Sequence, residues 1–157
     1  MNQVLFICTG NFYRSRYAEM LFNHITKDYM LKWTSFSRGF RSSDREAPIS
    51  RHTMRGLTAK GVFPTQVRYP IKLSAADLAL AHRIILMDEQ EHQPMLESDF
   101  SEWSDHVEYW NIQDIDFESP DIALDHLNQN IDLLIGSLET ESNHFLWSNN
   151  HLKVQAS

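Results

Sequence analysis

V-L-F-I-C-T-G-N-F-Y-R-S, residues Val4 to Ser15, decides how the chain is read. The apolar run Val4, Leu5, Phe6 and Ile7 is short, unbroken and β-favouring, as expected of a strand buried on both faces of a parallel sheet. Cys8, the one cysteine of the chain, stands where that run stops. Gly10 and Asn11 follow, two residue types that tolerate positive φ and let successive backbone N–H groups converge on one point. From Ser15 the periodicity turns helical, with Ala18, Leu21, Phe22 and Ile25 on one stripe, so the loop ends at a helix N-terminus with partial positive charge. A dianion held there meets backbone donors, the helix dipole and the fork of Arg14. The same surroundings lower a thiol pKa from ~8.5 into a range of roughly 3.5 to 7.5. A lone strand cysteine is otherwise a small buried hydrophobe. Gly10, Asn11, Arg14 and Ser15 at these offsets point instead to chemistry.

C-T-G-N-F-Y-R-S beginning at Cys8, close to the N-terminus and followed by Y-A-E-M-L-F, resembles the low-molecular-weight protein tyrosine phosphatase family, whose signature is cysteine, five residues, arginine, serine. The resemblance runs to about Leu138. It implies an α/β, three-layer, flavodoxin-like fold: a four-stranded parallel twisted sheet of order 2-1-3-4 with helices on both faces. It also implies a phosphomonoesterase working through a phosphocysteine with neither metal nor cofactor. Its substrates would be phosphotyrosine in proteins or a small aryl phosphate. Thr9, Gly10, Asn11, Phe12, Tyr13, Arg14 and Ser15 would hold the phosphate, with Cys8 as nucleophile.

Length and composition agree with this. One domain suits 157 residues, and 42% hydrophobic with 22% charged content is that of a globular protein. No apolar run reaches the ~20 residues of a membrane span and the N-terminus lacks signal-peptide character. A single cysteine excludes an internal disulfide framework, so a reducing cytoplasm is expected, with no membrane partner. A net charge of -7 argues against nucleic acid. Its distribution is uneven, since residues 1–60 carry 10 Lys and Arg against 4 Asp and Glu, whereas residues 61–157 carry 4 against 17. Arg14, Arg16, Arg38, Arg41, Arg45, Arg51 and Arg55 are candidates to surround an anion pocket, or else lie on a solvated surface.

After the loop, a helix is expected from about Ser15 to Tyr29, and K-W-T-S-F-S, Lys32 to Ser37, alternates as a second strand ended by Arg38-Gly39. In the resembling family this turn reads Ser-Ala-Gly, so the resemblance implies that Ser37 is the serine that hydrogen-bonds the loop asparagine, here Asn11, the alternative being an ordinary strand-end serine. Pro48 opens a helix running to about Lys60, with Gly61 as its stop. Ser74 to Asp77 forms a capping box, Arg83 to Met87 a third strand, and an acidic helix with Pro94 near its middle follows. Val107 to Trp110 is the fourth strand. Ser119 caps a last helix started by Pro120, with Ile122, Leu127, Ile131, Leu134 and Leu138 as its stripe. The phosphatase domain is expected to span 1–142, with 143–157 as an extension in which Phe145, Leu146 and Trp147 either dock or mediate self-association.

Ligands of open α/β sheets bind at the carboxyl ends of strands, which directs attention to N-I-Q-D-I-D-F-E-S-P after Trp110. The resembling family places an Asp-Pro pair there as general acid. Asp114 aligns with that aspartate, Ile115 replaces the proline, and Asp116 two residues on is the competing candidate. The family often has an aromatic two positions past the acid and another after the Ser-Ala-Gly turn, together sandwiching the phosphotyrosine ring. Here Asp116 occupies the first place, Phe40 is the candidate for the second, and Phe12 could substitute as a wall. Family members that use phosphoarginine carry a small polar residue where Phe12 stands, which disfavours that substrate. Tyr13 replaces a second cysteine common in the family, so oxidised Cys8 has no internal thiol to rescue it.

D-I-D-F-E, Asp114 to Glu118, lacks the rest of an aspartyl-phosphatase motif and of a calcium loop. The eight histidines, His24, His82, His92 and His126 among them, show no metal spacing and are read as surface or capping residues. Besides the phosphatase, an arsenate reductase dependent on an external thiol and a catalytically weak phosphoprotein-binding protein are the alternative functions.

Overall fold

The computed structural model describes residues 1–42 and 47–155, and side chains as far as residue 142. Strands β1 (Asn2–Cys8), β2 (Trp33–Gly39), β3 (Arg83–Leu86) and β4 (Glu108–Tyr109) alternate with helices α1 (Arg14–Asp28), α2 (Arg51–Ala59), α3 (Ala75–Leu80), α4 (Glu89–Asp99) and α5 (Pro120–Gln155). All strand pairs are parallel, in the order β2-β1-β3-β4. This is the topology expected from the sequence.

The central strand is apolar on both faces because helices cover both. Val4, Phe6 and Cys8 join Tyr17, Ala18, Leu21 and Phe22 of α1 and Leu127, Ile131 and Leu138 of α5 in one core. Leu5 and Ile7 point the other way, to Leu73, Leu78 and Leu96. Phe6 meets Phe22 edge-on, with centroids 5.8 Å apart, which helps seat α1 over the strand that carries Cys8.

Several boundaries differ from the sequence expectation for local reasons. Strand β2 continues to Gly39 because it stays in register with β1 through the Cys8–Gly39 pair. Helix α2 begins at Arg51 rather than at Pro48. Ser50 caps it by accepting the His52 N–H at 3.1 Å, while the Ser50 N–H donates to the Phe12 carbonyl, so residues 48–50 serve the loop instead of the helix. Gly61 ends α2 as expected, at φ 76°, with the Gly61 and Val62 N–H groups donating to the Thr58 and Leu57 carbonyls. The Ser74–Asp77 capping box is present. In α5, Ile122 faces solvent, and the buried stripe is Ala123, Leu124, Leu127, Ile131, Leu134, Ile135 and Leu138. The α5 backbone runs on without a break past residue 142; the side chains of Phe145, Leu146 and Trp147 lie outside the described residues.

Gly39 is where the sheet touches the Cys8 loop. A Cβ built there would lie 2.7 Å from the Thr9 carbonyl oxygen and 2.8 Å from the Asn11 nitrogen, both backbone atoms that cannot swing aside. The following N–H groups, of Phe40 and Arg41, donate to the Cys8 and Thr9 carbonyls. Gly39→Ala is therefore expected to lower unfolding free energy by about 1–3 kcal/mol. Gly136→Ala, on a helical site with nothing within 4 Å, should raise it by about 0.5–1 kcal/mol. Urea denaturation of both variants checks the pair; a neutral Gly39→Ala would contradict the close approach.

Candidate active site

The Cys8 loop is bent at one residue. Asn11 adopts φ 50°, whereas Gly10 does not use positive φ, so the asparagine alone supplies the left-handed turn. Its side chain is fully buried and bonded on both sides. Asn11 Oδ1 accepts from the Ile71 N–H and from Arg68 Nη1, each at 3.0 Å. Those obligate donors fix the amide orientation and direct Nδ2 at Ser15 Oγ and Ser37 Oγ, each at 2.9 Å. Ser15 Oγ lies 2.9 Å from Cys8 Sγ. The Ser15 oxygen accepts from Asn11 and keeps its own hydrogen free, so it can donate to the sulfur when Cys8 is a thiolate.

A second layer backs the first. Ser37 donates to Glu19 Oε2 at 2.8 Å and accepts from Arg68 Nη2 at 3.0 Å. Arg16 is fully buried behind the loop, donating to the Pro48 carbonyl at 3.0 Å and the Arg68 carbonyl at 2.8 Å. Burial, with the nearby Arg68 charge, pushes the Arg16 guanidinium down to about 10.

Helix α1 starts with no side-chain cap at Tyr13 and no acidic residue in its first turn. Its leading N–H groups are thus without the usual anionic partner, the arrangement that suits a bound anion. Tyr13 is buried, its ring edge-on to His52 with centroids 6.3 Å apart, and burial pushes its phenol up to about 12.

Above the loop opens a pocket of about 520 Å³ lined by Cys8, Gly10, Phe12, Tyr13, Arg14, Asp114 and Ile115, together with Ala47, Ile49, Ser50, Arg51 and His52. Asp114 Oδ2 stands 3.8 Å from Arg14 Nη2. Asp116 is exposed and is not part of the lining. Turn bonds hold the acidic loop, the Phe117 and Glu118 N–H groups donating to the Asp114 carbonyl. Ile115, standing where the family has proline, donates its N–H to Asp114 Oδ1 at 2.9 Å, a bond proline could not make.

Phe40 is not a wall of this pocket. It is 1% exposed, lies in the core on the opposite face of β1, and stacks on His92 at 5.9 Å. The apolar walls are Phe12, Ile49 and Ile115. Of the arginines expected around the pocket, Arg14 and Arg51 line it. Arg38 pairs with Asp77 and Arg41 with Asp99, and Arg45 lies outside the described residues.

Residues that sequence reasoning missed sit on α4. Glu91 faces Arg14 with both oxygens, at 3.1 Å from Nη1 and 2.6 Å from Nη2, while Nη1 also donates to the Ile112 carbonyl at 2.8 Å. Thr9 Oγ1 donates to Glu91 Oε2 at 2.5 Å, and His92 Nε2 lies 2.8 Å from the same oxygen. His92, read as a surface or capping residue, is fully buried. The signal available was position: Asp88-Glu-Gln-Glu-His92 directly follows β3, at the carboxyl edge where the loop and Asp114 also lie.

Burial opposes ionisation of Glu91, but hydrogen bonds from His92 and Arg14 outweigh it and hold the carboxyl well below the usual range. Burial likewise opposes the Arg14 charge, and Glu91 with Cys8 more than restores it.

The profile of the low molecular weight phosphotyrosine protein phosphatase family matches residues 3–146. The chain belongs to that family, and the class its fold and site define is a cysteine-based phosphatase acting on phosphorylated substrates. Among curated sequences none matches significantly. Solved structures are similar throughout. The low molecular weight protein tyrosine phosphatase from T. tengcongensis superposes with TM-score 0.75 at 25% identity, covering 87% of this chain and 99% of its own. YfkJ from Bacillus subtilis gives 0.80 at 22%, covering 90% and 96%. The YwlE arginine phosphatase from Geobacillus stearothermophilus gives 0.75 at 24%, covering 92% and 97%.

The Glu91 pairing predicts an acid-sensitive contribution to stability. A carboxyl whose folded pKa lies below its ordinary 4.5 adds stability that is fully present above 4.5 and fades as pH falls toward the folded value. The gap in unfolding free energy between wild type and Glu91→Gln should therefore narrow below pH 4.5 in chemical denaturation series. A gap constant down through that range would contradict the pairing.

Proposed function

We propose that the chain is a metal-independent protein tyrosine phosphatase. Cys8 attacks phosphorus as the thiolate, forming the S–P bond while the ester P–O bond breaks. Asp114 gives its proton to the leaving oxygen. The Asp114 carboxylate then takes a proton from water, whose oxygen attacks the phosphocysteine and releases inorganic phosphate and the thiolate. Arg14 and the backbone N–H groups of the loop stabilise the equatorial oxygens. Ser15 donates to the sulfur, and Asn11 and Ser37 keep the loop in shape.

The observation that carries this reading is the meeting of Cys8, Arg14 and Asp114 on one pocket, with the Ser15 hydroxyl 2.9 Å from the sulfur. The preference for an aryl ester rests on the pocket's walls. The Phe12 ring with the aliphatic Ile49 and Ile115 offers a slot for a flat ring, built from residues other than the aromatic pair usual in the family. A phosphoprotein-binding role without turnover would leave Asp114, poised 3.8 Å from Arg14, without use.

Hydrolysis of an aryl phosphate in the presence of chelator tests the assignment. Cys8→Ser should abolish turnover, Asp114→Asn should slow it about 10²- to 10⁴-fold, and Asp116→Asn should leave it near wild type. Undiminished turnover in Cys8→Ser, or sensitivity at Asp116 instead of Asp114, would overturn the roles. Matched phosphotyrosine and phosphoarginine peptides test the substrate, with preference for the former expected.

A further inference from the structure

We infer that Glu91, itself held by His92 and Thr9, is the positioning residue for Arg14. The inference rests on the proposed reading of the pocket as a phosphoryl-transfer site and concerns what aims its guanidinium.

Arg14 is 2% exposed, and a long cationic side chain at that depth needs an acceptor set that determines its angle as well as its charge. Glu91 supplies one by approaching two nitrogens with two oxygens, so that the planes of guanidinium and carboxylate are matched. The Ile112 carbonyl takes a third donor, leaving at most two of the fork's five N–H bonds for a ligand. Glu91 does this from outside, since neither it nor Thr9 lines the pocket. It is placed as a brace behind the guanidinium rather than an occupant of the phosphate position.

The brace is itself fixed. The Asp88 N–H donates to His92 Nδ1 at 3.0 Å, which puts the ring's hydrogen on Nε2, facing Glu91 Oε2 at 2.8 Å and Thr9 Oγ1 at 3.1 Å. The stacked Phe40 ring fixes the imidazole plane, 24° from its own. Asp88 in turn accepts the Glu91 N–H at 3.1 Å, so carboxylate and imidazole are both set by the first turn of α4. Thr9 closes the circuit, because it is the residue after Cys8 and donates to the same Glu91 oxygen. Arginine, loop backbone and sulfur are thus referenced to one helix.

The test measures inorganic phosphate affinity by calorimetry and kcat/KM on an aryl phosphate, both normalised to folded protein. Glu91→Gln removes a negative charge near the pocket, so electrostatics alone would tighten phosphate binding; lost positioning would weaken it. Weakening by about tenfold and a fall in kcat/KM of about 10- to 100-fold are expected. His92→Leu should reproduce that loss, and His92→Gln, which can still present an N–H to Glu91, should recover most of it. This His92 pair keeps the inference testable if Glu91→Gln does not fold. Unchanged or tighter phosphate binding in Glu91→Gln, or equal values for the two His92 variants, would overturn the inference. A wild type that binds phosphate without turning over aryl phosphate would sink the phosphatase reading alone, leaving the brace to be judged on phosphate affinity. A wild type that does not bind phosphate would sink both.

Discussion

The structure depends on holding one non-glycine residue, Asn11, in the left-handed region at φ 50°. That conformation costs about 1 kcal/mol or more for a residue with a side chain and persists where the surroundings over-determine it. They do so here through the amide. Its oxygen is tied to Ile71 and Arg68 and its nitrogen to Ser15 and Ser37, so the start of α1, the end of β2 and the segment 68–71 converge on one buried side chain. The Ser15 hydroxyl is held beside Cys8 by the same amide, which donates to its oxygen at 2.9 Å while the sulfur lies 2.9 Å away.

Charge is arranged in two tiers around that bend. Behind it, buried Arg16 and half-buried Arg68 lie near Glu19, the Arg68 contact at 3.3 Å and the Arg16 contact at 3.9 Å, and their other donors are taken largely by backbone carbonyls. In front, Arg14 is paired with Glu91 and stands 3.8 Å from Asp114. Of the basic residues in the first 60, Arg16 therefore goes into scaffold and Arg14, Arg38 and Arg41 into ion pairs, while Arg51 lines the pocket. A charge count along the sequence does not distinguish these uses, since burial decides what a cation does.

What the sequence made legible was local. The apolar run before Cys8, the five-residue interval to Arg14 and the helical stripe after it are short-range patterns, and they placed β1, the loop and α1 correctly. Asn11, Ser15 and Ser37 meet as expected. The misses share a physical origin. Arg68 and Glu91 lie 57 and 77 residues from the atoms they hold, and no periodicity encodes such a contact. Phe40 was placed by its offset from a turn, but one residue past Gly39 the chain turns it into the core, against His92. Ile115 in place of the family's proline removes a ring that would stiffen the loop. The structure offers a compensating N–H bond to the Asp114 carboxylate.

On the proposed mechanism, the sulfur at the base of this pocket takes up the phosphoryl group. Rapid acid quenching of the wild-type protein during turnover of an aryl phosphate, followed by peptide mass spectrometry, tests it most directly. One added phosphoryl group, bonded to sulfur, is expected on the peptide containing Cys8. Turnover with that peptide unmodified at every quench time, or with the group on another residue, would contradict it.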